Sequence, residues 1–318
     1  MAVDFGVAVP NYGDGTSAEK LRAWAQAVER LGFEYAMVTD HVTQPAQVRQ
    51  VYDEDFFEAF ASLSFLSAVT SRIRIGTTVV VLPLRHPLLT ARAAATVDRL
   101  SGGRMVFGVG VGGSSDEYAS LGVDFSRRGA MTDEYLAAIT RMWAGDWSFE
   151  GEFLRFDDLL PGPAPARPGG PPIWVGGASD AALRRAARFG AAWHPTFPTL
   201  EALATGKRKL AELAEAEGRD TPEVAPRITL TITEKAVPVD ERPLGVGNPE
   251  QIREDLSRLE ELGSSAVIVD PVKHRFIYGR LGIAQAALPS GQQDGTELAT
   301  IEQLANEIAD IPARAPRL

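Results

Sequence analysis

The stretch Pro171–Gly190, PPIWVGGASDAALRRAARFG, decides how the rest of the chain is read. Pro172-Ile173-Trp174-Val175 is a short apolar run bounded by turn residues, the pattern of a buried strand. Gly176-Gly177-Ala178 follows with almost no side chain. Ser179 then stands at the N-cap position of a helix whose apolar face is Ala182, Leu183, Ala186 and Ala187. A strand running over bare backbone into a helix N-terminus aims several N–H groups at one spot, with the positive end of the helix dipole behind them. Such a spot suits an anion, most often a phosphate. A lone Gly-Gly pair would read simply as a tight strand-to-helix turn, so the anion reading depends on its surroundings.

On both sides of this unit, strand and helix signals alternate. Strands are expected at Asp4–Pro10, Tyr35–Thr39, Ile73–Leu82, Arg104–Val111, Pro172–Val175, Ala191–Pro195, Arg227–Pro238 and Ala266–Val269. Helices are expected at Ser17–Leu31, Phe56–Val69, Pro87–Leu100, Met131–Trp143, after Ser179, and at Leu200–Glu217, Pro249–Leu262 and Glu297–Ile308. This alternation predicts an α/β fold with a parallel sheet. A closed (β/α)8 TIM barrel, with insertions after strands 4 and 7, leaves no edge strand exposed, whereas an open sheet of the same strands leaves two. The 318 residues form one domain, 1–318, on this reading. No G-x-G-x-x-G opens a helix in the first unit, which disfavours a Rossmann domain; Gly108-Val109-Gly110-Val111-Gly112 lies within a strand. In the first insertion, Ser114–Arg128 reads as polar and irregular. Ser148–Phe156 reads as a small hairpin, and Pro161–Pro172 as an extended connector rich in proline and glycine.

Composition removes several classes of function. A net charge of −10 speaks against non-specific binding to nucleic acid or anionic membranes. The absence of cysteine excludes disulfides, thiolate metal sites and thiol catalysis. The opening MAVDFGVAVP has neither a basic segment nor a long apolar run, and nothing approaches the roughly 20 apolar residues of a membrane span, so a cytoplasmic location is expected. No His/Asp/Glu spacing suggests a metal site.

In a barrel, the residues just past each strand share one face, where barrel enzymes keep their chemistry. Those positions here are Asn11, Asp40 and His41, Thr77 to Val80, Gly110 to Gly113, Gly176 to Ser179, His194 to Thr196, and Asp270. The glycines of the fourth and fifth strands would let a flat cofactor approach the backbone. His41 can exchange a proton near neutral pH, with Asp40 beside it in the chain, although neighbours on a strand usually point apart. Glu117 is either a solvent-exposed glutamate or an acid or base that a loop folds over the mouth. Trp143 and Trp147 read as packing. Arg184 and Arg185 either reach an anion at their helix N-terminus or form a solvated face.

Four segments resemble a known family: GFEYAMVTDHV (Gly32–Val42), RIGTTVVVLPLRHPLLTARAAATVDRLSGGRMVFGVGVGG (Arg74–Gly113), GVDFSRRGAMTDEYL (Gly122–Leu136) and PPIWVGGASDAALRRAARFGAAWHP (Pro171–Pro195). Together they are similar to the bacterial luciferase-like superfamily of flavin and deazaflavin oxidoreductases. The Thr39-Asp40-His41 ending of the second strand resembles the branch that uses coenzyme F420. The resemblance implies a cofactor lying across the mouth, its phosphate-bearing tail on Gly176, Gly177 and Ala178 and its ring near Asp40, His41 and Thr78. Thr77, Gly110, Gly112, His194 and Thr196 complete the implied cofactor set, and His41, Asp40 and Glu117 the catalytic one. It also implies an unusual bulge or a non-proline cis peptide within Thr77-Thr78-Val79. The implied reaction is hydride transfer between the deazaflavin C5 and a small organic molecule. With FMN in its place, the protein would be a monooxygenase supplied by a flavin reductase. Lys273 and Arg275, after the eighth strand, are candidates for a substrate phosphate. Family members often dimerise through helices of the first half, where Phe56, Phe57 and Phe60 stand. A flavin-free aldolase or isomerase is disfavoured by the lack of a strand-end lysine or metal cluster, and a non-catalytic flavin-binding barrel by Asp40-His41.

Overall fold

Runs of β-branched and aromatic residues alternate with amphipathic stretches, and in the computed structural model each becomes a strand with a helix returning over it. The structure describes residues 3–13, 15–49, 55–160, 162–238, 242–272 and 297–311. The first two staves of the ring are β1 (Asp4–Ala8) and β2 (Tyr35–Val38). The third is split into β3 (Arg74–Thr77) and β4 (Val80–Val81), and the fourth is β5 (Met105–Gly110). A small antiparallel hairpin, β6 (Phe149–Glu150) with β7 (Arg155–Phe156), stands apart from the ring. The fifth and sixth staves are β8 (Ile173–Gly176) and β9 (Ala192–His194). The seventh joins β10 (Glu223–Val224) to β11 (Arg227–Thr229). After a short parallel pair, β12 (Thr231–Ile232) with β13 (Val246–Gly247), β14 (Ala266–Asp270) is the eighth. All staves pair in parallel, in sequence order, and β14 returns to β1. Between the sixth and seventh, the amide of Arg227 donates to the Pro195 carbonyl (2.9 Å) and that of Phe197 to the Arg227 carbonyl (2.7 Å). The barrel is closed.

The helices are α1 (Ala18–Arg30), α2 (Ala46–Arg49), α3 (Ala59–Val69), α4 (Pro87–Leu100), α5 (Ser115–Ser120), α6 (Arg128–Trp143), α7 (Asp180–Phe189), α8 (Leu200–Ala216) and α9 (Pro249–Glu261), followed by Glu297–Gln303. Their first turns are closed by side chains that accept orphan N–H groups: Ser17 from Lys20, Glu58 from Ala61, Ser179 from Ala182, and a capping box between Asn248 and Gln251. None of the described helices is long and apolar enough to cross a membrane.

Strand alternation separates two cores. Phe5, Val7, Val38, Ile75, Phe107, Val175, Ile228, Val267 and Val269 face outward and meet the helices, where Leu63, Leu66, Leu136 and Ile139 are fully buried. Each such side chain contributes about 1.5–3 kcal/mol by burial. Tyr35, Met37, Val106, Trp174, Ala192, Ala225, Ala266 and Ile268 face inward and fill the barrel.

Four expectations need correction. The third strand does not run unbroken through Ile73–Leu82: it is interrupted at Thr78–Val79, joined by a cis peptide bond, and passes into a 3-10 turn at Leu82–Leu84. The seventh does not extend through Arg227–Pro238. It leaves the ring after Leu230 donates to the Asp270 carbonyl (2.7 Å), because Gly245 packs against the Thr229 carbonyl where no Cβ would fit. The segment Ser114–Arg128 is not irregular: Ser114 caps α5 by accepting from the Glu117 amide (3.2 Å), and the acidic first turn suits the helix dipole. The helix placed at Phe56–Val69 starts at Ala59, after its Glu58 cap.

Candidate active site

Register decides which side chains meet at the carboxyl end of the ring. Trp174, Ala192, Ala225 and Ile268 point inward, so Gly176, His194, Arg227 and Asp270, two residues further along, do so as well. They meet Thr78 of the third stave. Arg227 donates through Nε to Asp270 Oδ2 (3.1 Å), pairs with the same oxygen through Nη2, and donates through Nη1 to the Thr78 carbonyl (2.8 Å). Each buried charge therefore has its opposite beside it. His194 donates from Nδ1 to the Ala225 carbonyl. Burial pushes its imidazole down to about 4; the Ala225 contact opposes this and the Arg227 guanidinium adds to it. The ring is neutral at pH 7, so Nε2 is an acceptor and takes the Thr78 hydroxyl proton at 2.8 Å.

Asp40 and His41 point apart. Asp40, buried, receives Arg85 Nη2 on Oδ1 (2.5 Å), and the Val81 amide on Oδ2 (3.1 Å). Arg85 also pairs with Glu58 (3.0 Å). Asp40 thus fastens the turn after β4 and does not orient His41. Glu117 does that. Its Oε1 accepts from the amides of Val42 (2.7 Å) and Thr43 (3.2 Å), and its Oε2 lies 3.1 Å from His41 Nδ1. A carboxylate only accepts, so the imidazole donates to it from Nδ1. Glu117 is buried, whereas His41 keeps 20% of its side chain exposed, edge-on to Phe56 at 5.4 Å between centroids. Tyr118, bonded to the Val111 carbonyl (2.7 Å), ties α5 to the end of the fourth stave.

At the opening stretch, Gly177 adopts φ +101°, which favours glycine, and its carbonyl accepts from Trp193 Nε1 (2.7 Å). Gly177, Ala178 and Ser179 are exposed at the N-terminus of α7. The glycines of β5 and just past its end have another use. Cβ atoms on Gly108, Gly110 and Gly112 would strike the Thr77 carbonyl, Val79 and Val81 in turn, so these positions admit the bulged third stave. Thr77 is fully buried with its hydroxyl on the Gly108 carbonyl (2.6 Å), and Thr196 is exposed at the rim. Arg185 is not at the α7 N-terminus: it ties α7 to α6 through Asp133 (2.7 Å) and the Gly129 carbonyl. Lys207 is held by the Leu262 carbonyl (2.6 Å). Phe60 lies in the core and Phe56 stacks on Tyr12 (4.9 Å), leaving Phe57 exposed. Lys273, Arg275 and the segment Gly279–Thr296 lie outside the described residues. Sequence reasoning missed Arg227 and Arg85. Counting two residues on from Ala225 would have found the first. Nothing in the sequence marks the second, whose approach to Asp40 depends on the 3-10 turn.

A closed eight-stave barrel with an imidazole–carboxylate pair on its carboxyl-end loops belongs to the class that builds its chemistry on βα loops. Within that class, a family model described as luciferase-like monooxygenase matches residues 3–241, and the chain belongs to that family. An uncharacterised protein of Mycobacterium tuberculosis is 35% identical over 177 residues, which are 52% of this chain and 61% of that protein. The chain thus spans about three fifths of that relative's length. The coenzyme F420 dependent tetrahydromethanopterin reductase of Methanopyrus kandleri superposes with a TM-score of 0.76 at 18% identity, covering 98% of this chain and 99% of that one. The oxygenating constituent of 3,6-diketocamphane monooxygenase of Pseudomonas putida, in complex with FMN, superposes with a TM-score of 0.71 at 18% identity, covering 98% of each. At such identities these two likenesses speak for the fold alone. The family's members are oxidoreductases and monooxygenases, and this chain's structural neighbours include a coenzyme F420 dependent reductase and a monooxygenase in complex with FMN.

Proposed function

We propose that the protein is an F420-dependent oxidoreductase that transfers a hydride between the deazaflavin C5 and a small organic substrate. The observation that carries this reading is the His41–Glu117 pair at the end of β2: an acid–base group at the mouth, oriented by a buried carboxyl. The residues suit the cofactor. Gly177 and Ala178 offer exposed backbone at a helix N-terminus for a phosphate-bearing tail, with Gly176 and Gly177 carrying no side chain to obstruct it. Thr196 lines the rim, while Asp40, Thr77, Thr78, Gly110, Gly112 and His194 form the frame behind the ring. Bound F420 supplies a two-electron hydride carrier that does not readily activate oxygen. His41 holds or gives a proton at Nε2 as the substrate carbon gains or loses hydride. Glu117 keeps the Nδ1–H fixed and steadies the charged imidazolium. The hydrophobic barrel core below excludes water from one side.

An FMN-dependent two-component monooxygenase, supplied by a reductase, is the second reading, favoured by the family's description. Partners on either reading are a small-molecule substrate and a second copy of the chain, met through the α3–α4 side where Phe57 and Leu89 are exposed. We also infer a cytoplasmic location. Oxidised F420 and FMN are titrated separately into the purified protein, with binding followed by fluorescence. Micromolar affinity for F420 with weak FMN binding is the expected result. Tight FMN binding alone moves the reading to the monooxygenase, and binding of neither overturns both.

A further inference from the structure

Two threonine hydroxyls belong to the inner layer at the carboxyl end of the ring, and they differ in what they have left to offer. Thr78 Oγ1 gives its proton to His194 Nε2, and Arg227 Nη1 lies 3.5 Å from the same oxygen. His194 cannot return a proton, because its own is committed to the Ala225 carbonyl. Thr78 is therefore spent. Thr229 is two residues beyond Arg227 on β11 and stands opposite Asp270 in the parallel register, so its side chain faces inward with theirs. It is 1% exposed, and its hydroxyl has no hydrogen-bond partner. Other buried oxygens without a partner lie elsewhere: Ser62 and Asp98 on outer helices, Ser264 at the amino end of β14. A buried hydroxyl without a partner is unfavourable, and valine fills the same volume without that cost.

We propose that Thr229 is a ligand-binding residue whose hydroxyl bonds the polar edge of the ring held at the mouth, namely the pyrimidine-dione edge that F420 and FMN share. This inference rests on the proposed function and moves a ring contact from Thr78 to Thr229. Thr78, with His194 and Arg227, is a positioning residue behind it.

The test compares wild type, Thr229→Val and Thr229→Ser, measuring the Kd for F420 and for FMN by fluorescence and the Tm without ligand. Thr229→Val is expected to weaken the ring-bearing ligand by about tenfold, the value of one neutral hydrogen bond. Its Tm stays level or rises, since an unsatisfied group has been removed. Thr229→Ser keeps the wild-type affinity. Wild-type affinity in Thr229→Val overturns the inference and leaves the proposed function standing. A lowered Tm in Thr229→Val means that the hydroxyl is used within the protein, which also overturns it. If wild type binds neither F420 nor FMN, the proposed function falls, and this inference with it; the wild-type titration alone identifies that case.

Discussion

Asp40 and His41 share a peptide bond and serve different ends, because successive residues leaving a strand face opposite ways. Asp40 stands against Arg85, and removing the buried carboxylate leaves that guanidinium with only the more exposed Glu58 beside it. Asp40→Asn is therefore expected to cost about 3 kcal/mol in urea unfolding, and Asp40→Asn with Arg85→Met is expected to recover part of it. His41 faces Glu117. Glu117→Gln keeps an oxygen for the Val42 and Thr43 amides but loses the charge beside the imidazole. Turnover is expected to fall by about 10- to 100-fold, because the carboxylate that holds the imidazole Nδ1–H in place is gone. Wild-type turnover in Glu117→Gln would deny the pair its role. His41 and Glu117 are each visible in the sequence as mouth residues, but their pairing is not: 76 positions separate them, and the cap that starts α5 decides where Glu117 points. The Asp40–Arg85 pair was hidden for a similar reason, being made by a turn that no periodicity announces.

At the scale of the element, the third and fourth staves are fitted to each other. Gly108 has the Thr77 carbonyl where its Cβ would be, and a backbone carbonyl cannot swing aside as a flexible side chain can. Gly108→Ala is expected to destabilise by at least 3 kcal/mol, or to prevent folding, as overpacking against rigid backbone does. Gly113→Ala, with open space at its Cβ position, is the control and is expected to change stability by less than about 1 kcal/mol. Equal effects of the two in urea unfolding would refute the fit. The alternation of strands and helices, the hairpin and the α7 cap were all legible, because each follows from local pattern. The run of glycines in β5 was legible as bare backbone but not as the seat of the bulged stave, since that partner is distant in sequence. The early end of the seventh stave was hidden likewise: Arg227–Pro238 has β-branched residues throughout, and only Gly245, arriving from the insertion, turns it away.

Over the whole molecule, His194 links ring closure to pH. Its folded pKa, about 4, lies below the unfolded value near 6.5, so on acidification the unfolded chain takes up a proton that the folded one refuses. Stability contributed by the neutral ring is present above pH 6.5 and is lost as pH falls from there toward 4, on the order of 3 kcal/mol in full. Urea unfolding at pH 7 and pH 5 is expected to show this loss in wild type and much less of it in His194→Gln. An identical slope in both would assign the pH dependence elsewhere. The same network has a further consequence, for synthesis. Arg227 reaches the Thr78 carbonyl across 149 positions, so the inner layer cannot assemble until the seventh stave has joined the third. A nascent chain that has not yet released Arg227 from the ribosome can fold the βα units of its first half, but it cannot complete the mouth. Completion of the mouth is thereby deferred to the last third of translation, and chains stalled before that point emerge with the ring open.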